Sequence, residues 1–228
     1  RKEMNELTLL IPANKEAESL PTFLKELESY DYKKIVVLQK EDKETIESIS
    51  DFKNIKICVQ SKKGYGSALK EGLQIIDTDY FCIINADGSM DPKYLKEMLD
   101  LCKTKDFVFA SRYIKGGGSD DDDIVTFIGN KCFSFLGNIL FQLNLSDILY
   151  TYIIGKTLSV KSLNLTYNDF RICVEIPIKA KFKRYESIST PSKERRRIGG
   201  IKKVNALKDG FLILMAIISL FYKKILKK

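Results

Sequence analysis

The sequence predicts an α/β fold with a mainly parallel central sheet flanked by helices, and three observations predict it. Short apolar runs alternate with segments of helical periodicity over roughly the first 112 residues. The spacing leaves room for one helix between successive runs, which favours right-handed crossovers and parallel pairing. The chain has 228 residues, of which 44% are hydrophobic, so it is long enough to form one sizeable core.

The predicted strands are short apolar runs that end at polar or glycine-containing breaks. They span residues 7–11, 35–38, 55–59, 80–85 and 107–110. Between them lie segments whose apolar residues recur at helical spacing. These predicted helices span residues 18–29, 43–49, 66–76 and 92–102. Strands and helices together predict a first α/β unit over residues 1–112.

The composition changes after Arg112, where a glycine-rich loop, an acidic run and a long apolar segment follow one another. The aspartates of the acidic run, residues 120–123, suit a helix N-terminus because the helix dipole favours negative charge there. The apolar segment, residues 124–145, is interrupted by polar residues mainly at spacings of four, which leaves a broad apolar face. Such a face indicates either a core helix or a helix lying on a membrane surface.

A second apolar segment, residues 211–222, is flanked by Lys208 and by Lys223 and Lys224. Its length is too short to span a bilayer, which takes about 20 residues. An apolar stripe that ends in lysines suits the lipid–water boundary, where long basic side chains reach the headgroups. The alternative is that this segment packs on the sheet domain.

The formal net charge of +8 is concentrated towards the C-terminal end. Residues 193–208 hold seven basic side chains against one acid, Glu194, and residues 223–228 hold four lysines. The basic residues are interleaved with isoleucine and leucine and not with stacking aromatics, which argues against nucleic-acid binding. Residues 1–10 carry no signal-peptide pattern, so we expect a cytoplasmic protein, peripheral on the inner face of the membrane.

Histidine is absent from the sequence, which removes the usual general base and imidazole metal ligand. Acid–base chemistry must therefore fall to carboxylates. The five cysteines are widely spaced and form no Cys-x-x-Cys pair. We expect them to be small buried hydrophobic residues in a reducing compartment, and not disulfides or zinc ligands.

The most informative stretch is residues 80–92, an apolar run that ends in Asn85, Asp87 and a glycine. A buried strand would bring these side chains to its carboxyl end, where open α/β sheets bind ligands. Their hard oxygen atoms can hold Mg²⁺ or Mn²⁺ against a diphosphate. The alternative is a simple turn after a strand, because Asp and Gly are also typical turn residues.

A second candidate site lies at Lys63, Gly64 and Gly66, which place a cation and bare backbone amides before a predicted helix. This arrangement favours an anion. It is not the dinucleotide fingerprint, because the next glycine, Gly72, comes six residues after Gly66. The alternative is a glycine-rich turn without a ligand.

Seven short motifs follow one another along nearly the whole chain. They are Leu10-Ile11-Pro12-Ala13 with Glu16, Lys63-Gly64-Tyr65-Gly66-Ser67-Ala68 with Gly72, Asn85-Ala86-Asp87-Gly88 with Asp91-Pro92, Ala110-Ser111-Arg112-Tyr113, Gly129-Asn130-Lys131, Ser146-Asp147, and Arg197-Ile198-Gly199-Gly200 with Lys203 and Asn205-Ala206-Leu207. In this order they resemble the family 2 glycosyltransferases of GT-A fold. Within that family they resemble the dolichol-phosphate mannosyltransferase-like branch, which glycosylates polyprenyl phosphates.

The resemblance implies an organisation and a role for each motif. Residues 1–112 would be the nucleotide-sugar-binding half, residues 113–192 the acceptor-side half of the same domain, and residues 193–228 a basic loop with an amphipathic membrane-surface helix. The donor-binding residues would be Pro12, Ala13, Asn14, Glu16, Lys63, Gly64, Asn85, Ala86 and Asp87. The metal, Mg²⁺ or Mn²⁺, would be held by Asp87 and Asn85. The catalytic residues would be Asp87, Asp147 and Arg112, and the acceptor phosphate would be bound by Arg112, Arg195, Arg196, Arg197, Lys202 and Lys203.

The function that the resemblance implies is inverting transfer of a sugar from a nucleoside-diphosphate sugar to a polyprenyl phosphate at the cytoplasmic membrane face. A phosphate acceptor is already ionised and attacks the anomeric carbon without a base. One alternative sends the sugar to a glycan hydroxyl in cell-surface polysaccharide synthesis, with Asp147 as the base. Another is a catalytically degenerate, membrane-attached nucleotide-binding protein.

The chain departs from the family pattern on the donor side. The first aspartate of the usual Asp-x-Asp is Asn85, whose neutral oxygen predicts a weaker metal site. The second strand of relatives ends in Asp-Asp-x-Ser, whereas residues 39–42 read Gln-Lys-Glu-Asp, so the aspartate that reads the nucleobase is absent unless an acid of this loop substitutes. After Asp147 the usual Ser-Gly-Phe-Arg is replaced by Tyr150-Thr151-Tyr152 and neighbours. These changes leave the donor base and sugar unassigned.

Overall fold

The structure, a computed structural model, describes residues 6–200 and 202–226. The strands within them are β1 (Leu7–Pro12), β2 (Lys33–Leu38), β3 (Lys56–Val59), β4 (Tyr80–Ile83), β5 (Phe107–Ser111), β6 (Gly118–Ser119), β7 (Ile153–Lys156), β8 (Ser187–Pro191) and β9 (Lys193–Glu194). The α-helices are α1 (Leu20–Leu27), α2 (Lys43–Ser48), α3 (Tyr65–Gln74), α4 (Leu95–Cys102), α5 (Ile124–Phe141), α6 (Thr157–Ser162), α7 (Ile172–Phe182) and α8 (Ala206–Leu226). A short 3₁₀-helix, Pro92–Tyr94, precedes α4.

The central sheet has the strand order β3-β2-β1-β4-β7-β5-β8. Strands β1 to β4 are parallel and β5 pairs in parallel with β8, whereas β7 runs antiparallel to both of its neighbours. The predicted α/β fold with a mainly parallel sheet is therefore confirmed, and all five predicted strands are present. The sequence pattern does not predict β7 and β8, because the alternation of strands with helices stops before them.

Helices cover both faces of the sheet. Successive strand residues point to opposite faces, so Leu10 packs with α3 on one face while Leu9 and Ile11 pack with α1 on the other. The first face also receives side chains from α5, α6, α7 and α8, and the second receives those of α4. Because β7 lies between β4 and β5, the predicted halves 1–112 and 113–192 contribute strands to one sheet.

Helix α5 buries a narrow, partly polar face and exposes an apolar one. Asp123 caps its first turn by accepting a hydrogen bond from the backbone N of Thr126, as the acidic run predicts. Its buried residues are Asn130, Ser134, Gly137 and Phe141, and its exposed apolar residues include Ile124, Val125, Phe127, Ile128, Phe135 and Ile139. Among the described residues, α5 is the one helix with the length and apolar composition to cross a bilayer, a property that core helices of soluble proteins share.

Helix α8 contains the second apolar segment and packs against α5 and α7. Its buried residues are Ile213, Ala216, Ile217 and Leu220, and its exposed apolar residues include Leu207, Phe211, Met215, Ile218 and Tyr222. One face of α8 therefore packs on the domain, as one alternative predicts, and the membrane-surface alternative stays a prediction for the exposed face. Lys227 and Lys228, part of the predicted basic C-terminus, lie outside the described residues.

The cysteines have free thiols in the part of the chain that the structure describes. Cys82, Cys102 and Cys173 are buried and Cys58 is half-buried, as expected for small hydrophobic residues. The expectation of burial is wrong for Cys132, which is exposed on α5 because it lies off the narrow face that this helix buries.

Candidate active site

Two predicted motifs meet at one edge of the sheet. Residues 12–14 begin the loop after β1, and residues 85–87 begin the loop after β4. Because β1 and β4 pair in parallel, both loops leave the sheet at the same edge. Asn14 is exposed there, whereas Pro12 and Ala13 before it are buried. The structure thus brings together the residues that the sequence assigns to the donor.

Asp87 is the central acid of this edge. Its Oδ1 accepts hydrogen bonds from the backbone N of Ser89 at 3.0 Å and from the hydroxyl of Ser89 at 2.8 Å. Its Oδ2 lies 3.9 Å from a guanidinium nitrogen of Arg197, and the side chain is 14% exposed. The turn therefore fixes one carboxylate oxygen and leaves the other to face a cation.

Asn85 is held by a tyrosine. The hydroxyl of Tyr65 donates to Oδ1 of Asn85 at 3.2 Å and lies 2.7 Å from Oγ1 of Thr151. The Tyr65 ring stacks on Phe170 with the centroids 5.1 Å apart. Burial raises the pKa of Tyr65 well above its ordinary value, so the hydroxyl stays protonated. The amide oxygen that the sequence assigns to the metal is bonded to the protein.

Glu16, beyond the end of β1, is buried and already paired. Its Oε2 accepts from Oγ of Ser19 at 2.8 Å, and its Oε1 lies 3.2 Å from Nζ of Lys203. The backbone N of Lys15, a residue with φ of +56°, donates to the Asp42 carboxylate at 2.6 Å. Asp42, one of the two acids considered as substitutes for a nucleobase-reading aspartate, therefore supports the loop after β1.

The turn before α3 serves packing. A Cβ on Gly64 would lie 2.1 Å from the carbonyl oxygen of Asn168, and a Cβ on Gly66 would lie 2.8 Å from the Asn168 carbonyl carbon. The backbone N of Ser67 donates to the same Asn168 oxygen at 3.1 Å. The Asn168 backbone covers this helix start, which does not favour an anion site at these amides, and the site stays a prediction. Lys63 is exposed beside it.

Arg112 and Asp147 form a buried ion pair. Arg112 donates from Nε and from a terminal nitrogen to both Asp147 carboxylate oxygens, at 2.7 and 3.0 Å, and from its backbone N at 3.2 Å. Its other terminal nitrogen donates to Glu194 at 3.1 Å, and the guanidinium lies 4.5 Å from the Tyr150 ring centroid. The two side chains are 7% and 0% exposed.

This pairing does not favour two predicted roles, which stay predictions. Each guanidinium nitrogen of Arg112 already has a carboxylate partner, so the side chain is not free to clamp a phosphate. The Asp147 carboxylate is enclosed and accepts three N–H groups, so it does not face an acceptor hydroxyl as a base would. In this conformation both residues hold the structure around the site.

Residues 195–200 and 202–203, which we call the basic segment, lie around the edge that carries Asp87, and Arg195 and Ile198 bond to the loop after β4. The backbone N of Ile198 donates to the carbonyl oxygen of Asp87 at 2.8 Å. The Ile198 side chain covers Gly88, where φ is +72° and a Cβ would lie 2.5 Å from Ile198 Cδ1. The predicted phosphate-binding residues are therefore close to the predicted metal ligand.

Three cations of the basic segment face acidic loops around the edge. Arg197 lies 2.9 Å from an Asp121 carboxylate oxygen in addition to its longer contact with Asp87. Lys202 donates to the Asp121 carbonyl oxygen at 2.9 Å, and Lys203 pairs with Glu16. The acidic run before α5 thus supplies partners for the cations that the sequence assigns to phosphate.

The other two arginines differ from these and from each other. Arg195 donates to both carboxylate oxygens of Glu26 on α1, at 2.8 and 3.0 Å, and to the Gly88 carbonyl oxygen at 2.8 Å. The guanidinium of Arg195 thus connects α1 to the loop after β4, and its predicted phosphate role stays a prediction. Arg196 is exposed and has no hydrogen bond or ion pair within the described ranges.

A divalent cation fits this edge with few protein ligands. In the described part of the chain, no three His, Cys, Asp or Glu side chains converge as a metal-binding group. The carboxylate of Asp87 is a hard oxygen donor that remains partly exposed at this edge. Mg²⁺ commonly takes one or two carboxylates and completes its shell with substrate phosphates and water. The donor set therefore suits a cation that binds together with a diphosphate.

Sequence reasoning missed the residues that act as partners. Tyr65 lies inside a quoted motif and Asp121 inside the acidic run, but their contacts with Asn85 and Arg197 bridge distant parts of the chain. In the sequence, Glu194 stands out only as an acid among basic residues, and its bond to Arg112 is not predicted. Each of these signals marks a residue without indicating what it touches.

Comparison with known proteins identifies relatives in sequence and in fold. The model of the family "Glycosyl transferase family 2" matches residues 8–174. An uncharacterized glycosyltransferase of Mycobacterium tuberculosis (strain H37Rv) is 31% identical over 107 residues. That match covers 46% of this chain and 48% of the relative, so it spans about half the length of the relative.

Two solved structures share the fold. Glucosyl-3-phosphoglycerate synthase from Mycobacterium tuberculosis, in complex with Mn²⁺, UDP and glucosyl-3-phosphoglycerate, superposes with a TM-score of 0.70 at 14% identity, covering 95% of this chain and 80% of that one. Mannosyl-3-phosphoglycerate synthase from Rubrobacter xylanophilus gives a TM-score of 0.64 at 14% identity, covering 97% and 74%. At this identity the likeness concerns the fold alone.

Proposed function

This chain belongs to glycosyl transferase family 2 and is a glycosyltransferase of GT-A fold, and we propose that it moves a sugar from a nucleoside-diphosphate sugar to a polyprenyl phosphate at a membrane surface. The observation that carries the choice of acceptor is the position of α5 and α8. Both helices follow segments that pair with charged residues at the candidate site, and both expose apolar side chains.

The donor binds at the edge formed by the loops after β1 and β4. The Asp87 carboxylate at that edge supports this assignment, as do the glucosyl-3-phosphoglycerate synthase complexes that contain UDP with Mn²⁺ or Mg²⁺. Asp87 would hold the cation, which neutralises charge on the departing nucleoside diphosphate when it is bound. Arg197 is near enough to turn from carboxylate to phosphate when the donor arrives.

The acceptor approaches along α5 and α8, which lie side by side and run in the same direction. Gly210 near the start of α8 lies against Phe133, and Lys224 near its end donates to the Leu140 carbonyl oxygen at 2.9 Å. Lys202 of the basic segment lies 3.4 Å from Asp123, the residue that caps α5, and α8 begins four residues after Lys202. A polyprenyl chain lying on these apolar faces would direct its phosphate to the cations at the site.

The chemistry requires no protein base. An ionised phosphate oxygen of the acceptor attacks the anomeric carbon as the bond from that carbon to the donor diphosphate breaks, and the sugar's configuration inverts. The nucleoside diphosphate leaves with the bonding electron pair. The engagement of Asp147 by Arg112 supports a phosphate acceptor over a glycan hydroxyl, since the hydroxyl reaction needs a free base.

The same surface supports a location on the cytoplasmic face of a membrane. Anionic headgroups attract each nearby basic side chain by about 1 kcal/mol. Lys131 on α5 and Lys208, Lys223 and Lys224 on α8 lie on the two apolar helices. The free thiols are compatible with a reducing compartment.

The decisive experiment incubates the full chain and Mg²⁺ or Mn²⁺ with radiolabelled nucleotide sugars. Undecaprenyl phosphate in vesicles is offered in one arm and 3-phosphoglycerate in another, since two fold neighbours are named for phosphoglycerate products. We expect label in the organic phase with the lipid acceptor only. Asp87→Ala should abolish it, whereas the exposed control Asp51→Ala should not.

Each other outcome identifies an alternative. Label on 3-phosphoglycerate alone would replace the lipid acceptor with a small phosphorylated one. Nucleotide binding without transfer to either acceptor would support a catalytically degenerate protein. Label on a glycan hydroxyl, lost in Asp147→Asn, would restore Asp147 as a base.

Membrane binding is tested separately by co-sedimentation with vesicles of phosphatidylcholine and phosphatidylglycerol. Ile128→Glu on α5 and Phe211→Glu on α8 should each reduce binding, because both side chains belong to the exposed apolar faces. Leu158→Glu is the matched control, since Leu158 is 82% exposed on α6. Equal binding by all three variants would contradict a role for α5 and α8 at the membrane.

A further inference from the structure

The side chain of Asn85 has one end bonded to protein and one end open. Its oxygen accepts from Tyr65 at 3.2 Å. Its nitrogen has no hydrogen-bond acceptor among residues 6–200 and 202–226, and it is not one of the enclosed polar atoms without a partner. The amide N–H groups are therefore open to solvent at the edge of the sheet that carries Asp87.

A short chain of hydroxyl groups fixes this orientation. Tyr65 and Thr151 lie 2.7 Å apart, and each has one hydroxyl hydrogen. If Thr151 donates to Tyr65, then Tyr65 donates to Asn85 and every hydrogen in the chain is used. The stacking of Tyr65 on Phe170 and the burial of Thr151 hold the first two members in place. The amide oxygen of Asn85 is thereby directed to the protein.

We propose that Tyr65, supported by Thr151, is a positioning residue that orients Asn85 as a hydrogen-bond donor, so that Asn85 binds an oxygen of the nucleotide-sugar donor and not the metal. This inference rests on the proposed function. The neutral amide presents N–H groups to substrate oxygens, where a carboxylate would present a further negative charge to the cation. Asp87 then supplies the protein carboxylate to the cation without help from Asn85.

The role explains why two departures from the family pattern occur together. Asn85 replaces the usual aspartate, and Thr151 lies in the replaced stretch after Asp147. Tyr65 joins them through hydrogen bonds although the three residues are far apart in the chain. An amide at position 85 and its two hydroxyl partners thus form one unit.

The test measures binding to the full chain in two titrations. Mn²⁺ alone is followed by electron paramagnetic resonance, and UDP, GDP and one sugar conjugate of each are followed by calorimetry at saturating Mn²⁺. For Asn85→Ala we expect about tenfold weaker nucleotide binding and an unchanged Mn²⁺ affinity. Tyr65→Phe should weaken nucleotide binding by about threefold, because Asn85 stays but loses its orientation. A loss confined to the sugar conjugates would assign the contact to a sugar hydroxyl, and a loss common to all would assign it to the diphosphate or ribose; either supports the proposal.

Two further variants separate positioning from general loosening of the fold. Asn85→Asp should bind Mn²⁺ more tightly than the wild type while binding the nucleotide no better. Thr151→Val should act in the same direction as Tyr65→Phe, and the double variant should lose less than the sum of the two, because both act through Asn85. A merely structural role would lower the melting temperature of Tyr65→Phe and leave the nucleotide affinity unchanged.

The proposal is overturned if Asn85→Ala weakens Mn²⁺ binding in the absence of nucleotide, since the amide oxygen would then be a metal ligand. It is also overturned if Asn85→Ala or Tyr65→Phe leaves every nucleotide affinity unchanged. Neither result changes the outcome expected for sugar transfer to the lipid acceptor, so the proposed function would stand. A wild-type chain that binds none of the nucleotides would overturn both.

Discussion

Arg112–Asp147 and Arg197–Asp87, two of the carboxylate–guanidinium pairs at the candidate site, differ in how tightly their members are bound. Arg112 and Asp147 meet through two side-chain hydrogen bonds of 2.7 and 3.0 Å and are almost fully enclosed. Arg197 and Asp87 stand 3.9 Å apart and remain partly exposed. The first pair uses its hydrogen-bonding capacity within the protein, whereas the second retains capacity for a ligand.

The difference assigns separate tasks to residues that the sequence places in one functional set. A buried ion pair is costly to break because the remaining charge loses its partner in a medium of low dielectric. A partly exposed pair contributes little to stability, since water and salt screen it. Substitution of Arg112 or Asp147 should therefore mainly lower the stability of the protein. Substitution of Asp87 or Arg197 should mainly change ligand binding.

The largest effect should follow from Asp147→Ala, which leaves the Arg112 guanidinium buried beside Glu194 without its main partner. We expect the free energy of unfolding to fall by about 3–5 kcal/mol. Urea denaturation followed by circular dichroism measures it. Arg112→Met combined with Asp147→Leu should recover part of the loss, because neither of these two positions then carries an unpaired charge, although Glu194 loses the cation to which it is bonded. A loss below about 1 kcal/mol in Asp147→Ala would show that the pair is not structural.

Asp87→Ala should have a large effect on activity and a small effect on stability. Sugar transfer should fall by a factor on the order of 10²–10³, because the carboxylate that holds the cation is removed. The free energy of unfolding should change by only about 1 kcal/mol, the worth of the hydrogen bonds from Ser89. Initial rates and urea denaturation on the same preparation measure both quantities. Loss of folding with loss of activity would mean that Asp87 is mainly a turn residue.

Gly88→Ala tests how closely the basic segment lies on the loop after β4. The residue has φ of +72°, and the added Cβ would lie 2.5 Å from Cδ1 of Ile198. We expect a loss of about 1–3 kcal/mol in the free energy of unfolding. Adding Ile198→Ala should remove the part of this loss that comes from the steric clash. The part that comes from the strained backbone at position 88 should remain. If the double variant is no more stable than Gly88→Ala, the contact with Ile198 does not determine the cost.

Much of the fold is readable from the sequence because it depends on local patterns. The strands β1 to β5 are apolar runs separated by helical segments, and this order is enough to predict parallel pairing. The loops after β1 and β4 could likewise be placed together, since parallel strands end at a common edge. Strand β7 escapes prediction because its insertion between β4 and β5 depends on pairing with distant segments.

From the sequence, the site can be predicted only as a set of residues, without the contacts between them. Arg112 and Asp147 both stand out in the motifs, but nothing in the spacing indicates that they bond to each other and not to substrate. Gly64 stands out as an anion-binding glycine, whereas its φ of +113° and its contact with Asn168 serve packing. Side-chain partners from distant segments determine these roles, and a linear pattern does not encode them.

The smallest predicted effect concerns the exposed pair itself. Arg197→Gln removes the cation that faces both Asp87 and Asp121. A divalent cation approaching Asp87 then meets less repulsion, and Mn²⁺ alone should bind about two- to fivefold more tightly, in keeping with the worth of a partly exposed ion pair. Nucleotide-dependent transfer should nonetheless fall, because Arg197 also serves phosphate in the proposed function.

The matched control is Arg196→Gln, which removes the same charge from an exposed neighbour without a carboxylate partner in the described chain. Electron paramagnetic resonance titration at two salt concentrations measures both variants. Because added salt screens exposed charges, the gain in Arg197→Gln should shrink at the higher concentration. An equal gain in Mn²⁺ affinity in the two variants would mean that Arg197 acts only through the net charge. The 3.9 Å contact between Arg197 and Asp87 would then not control metal binding.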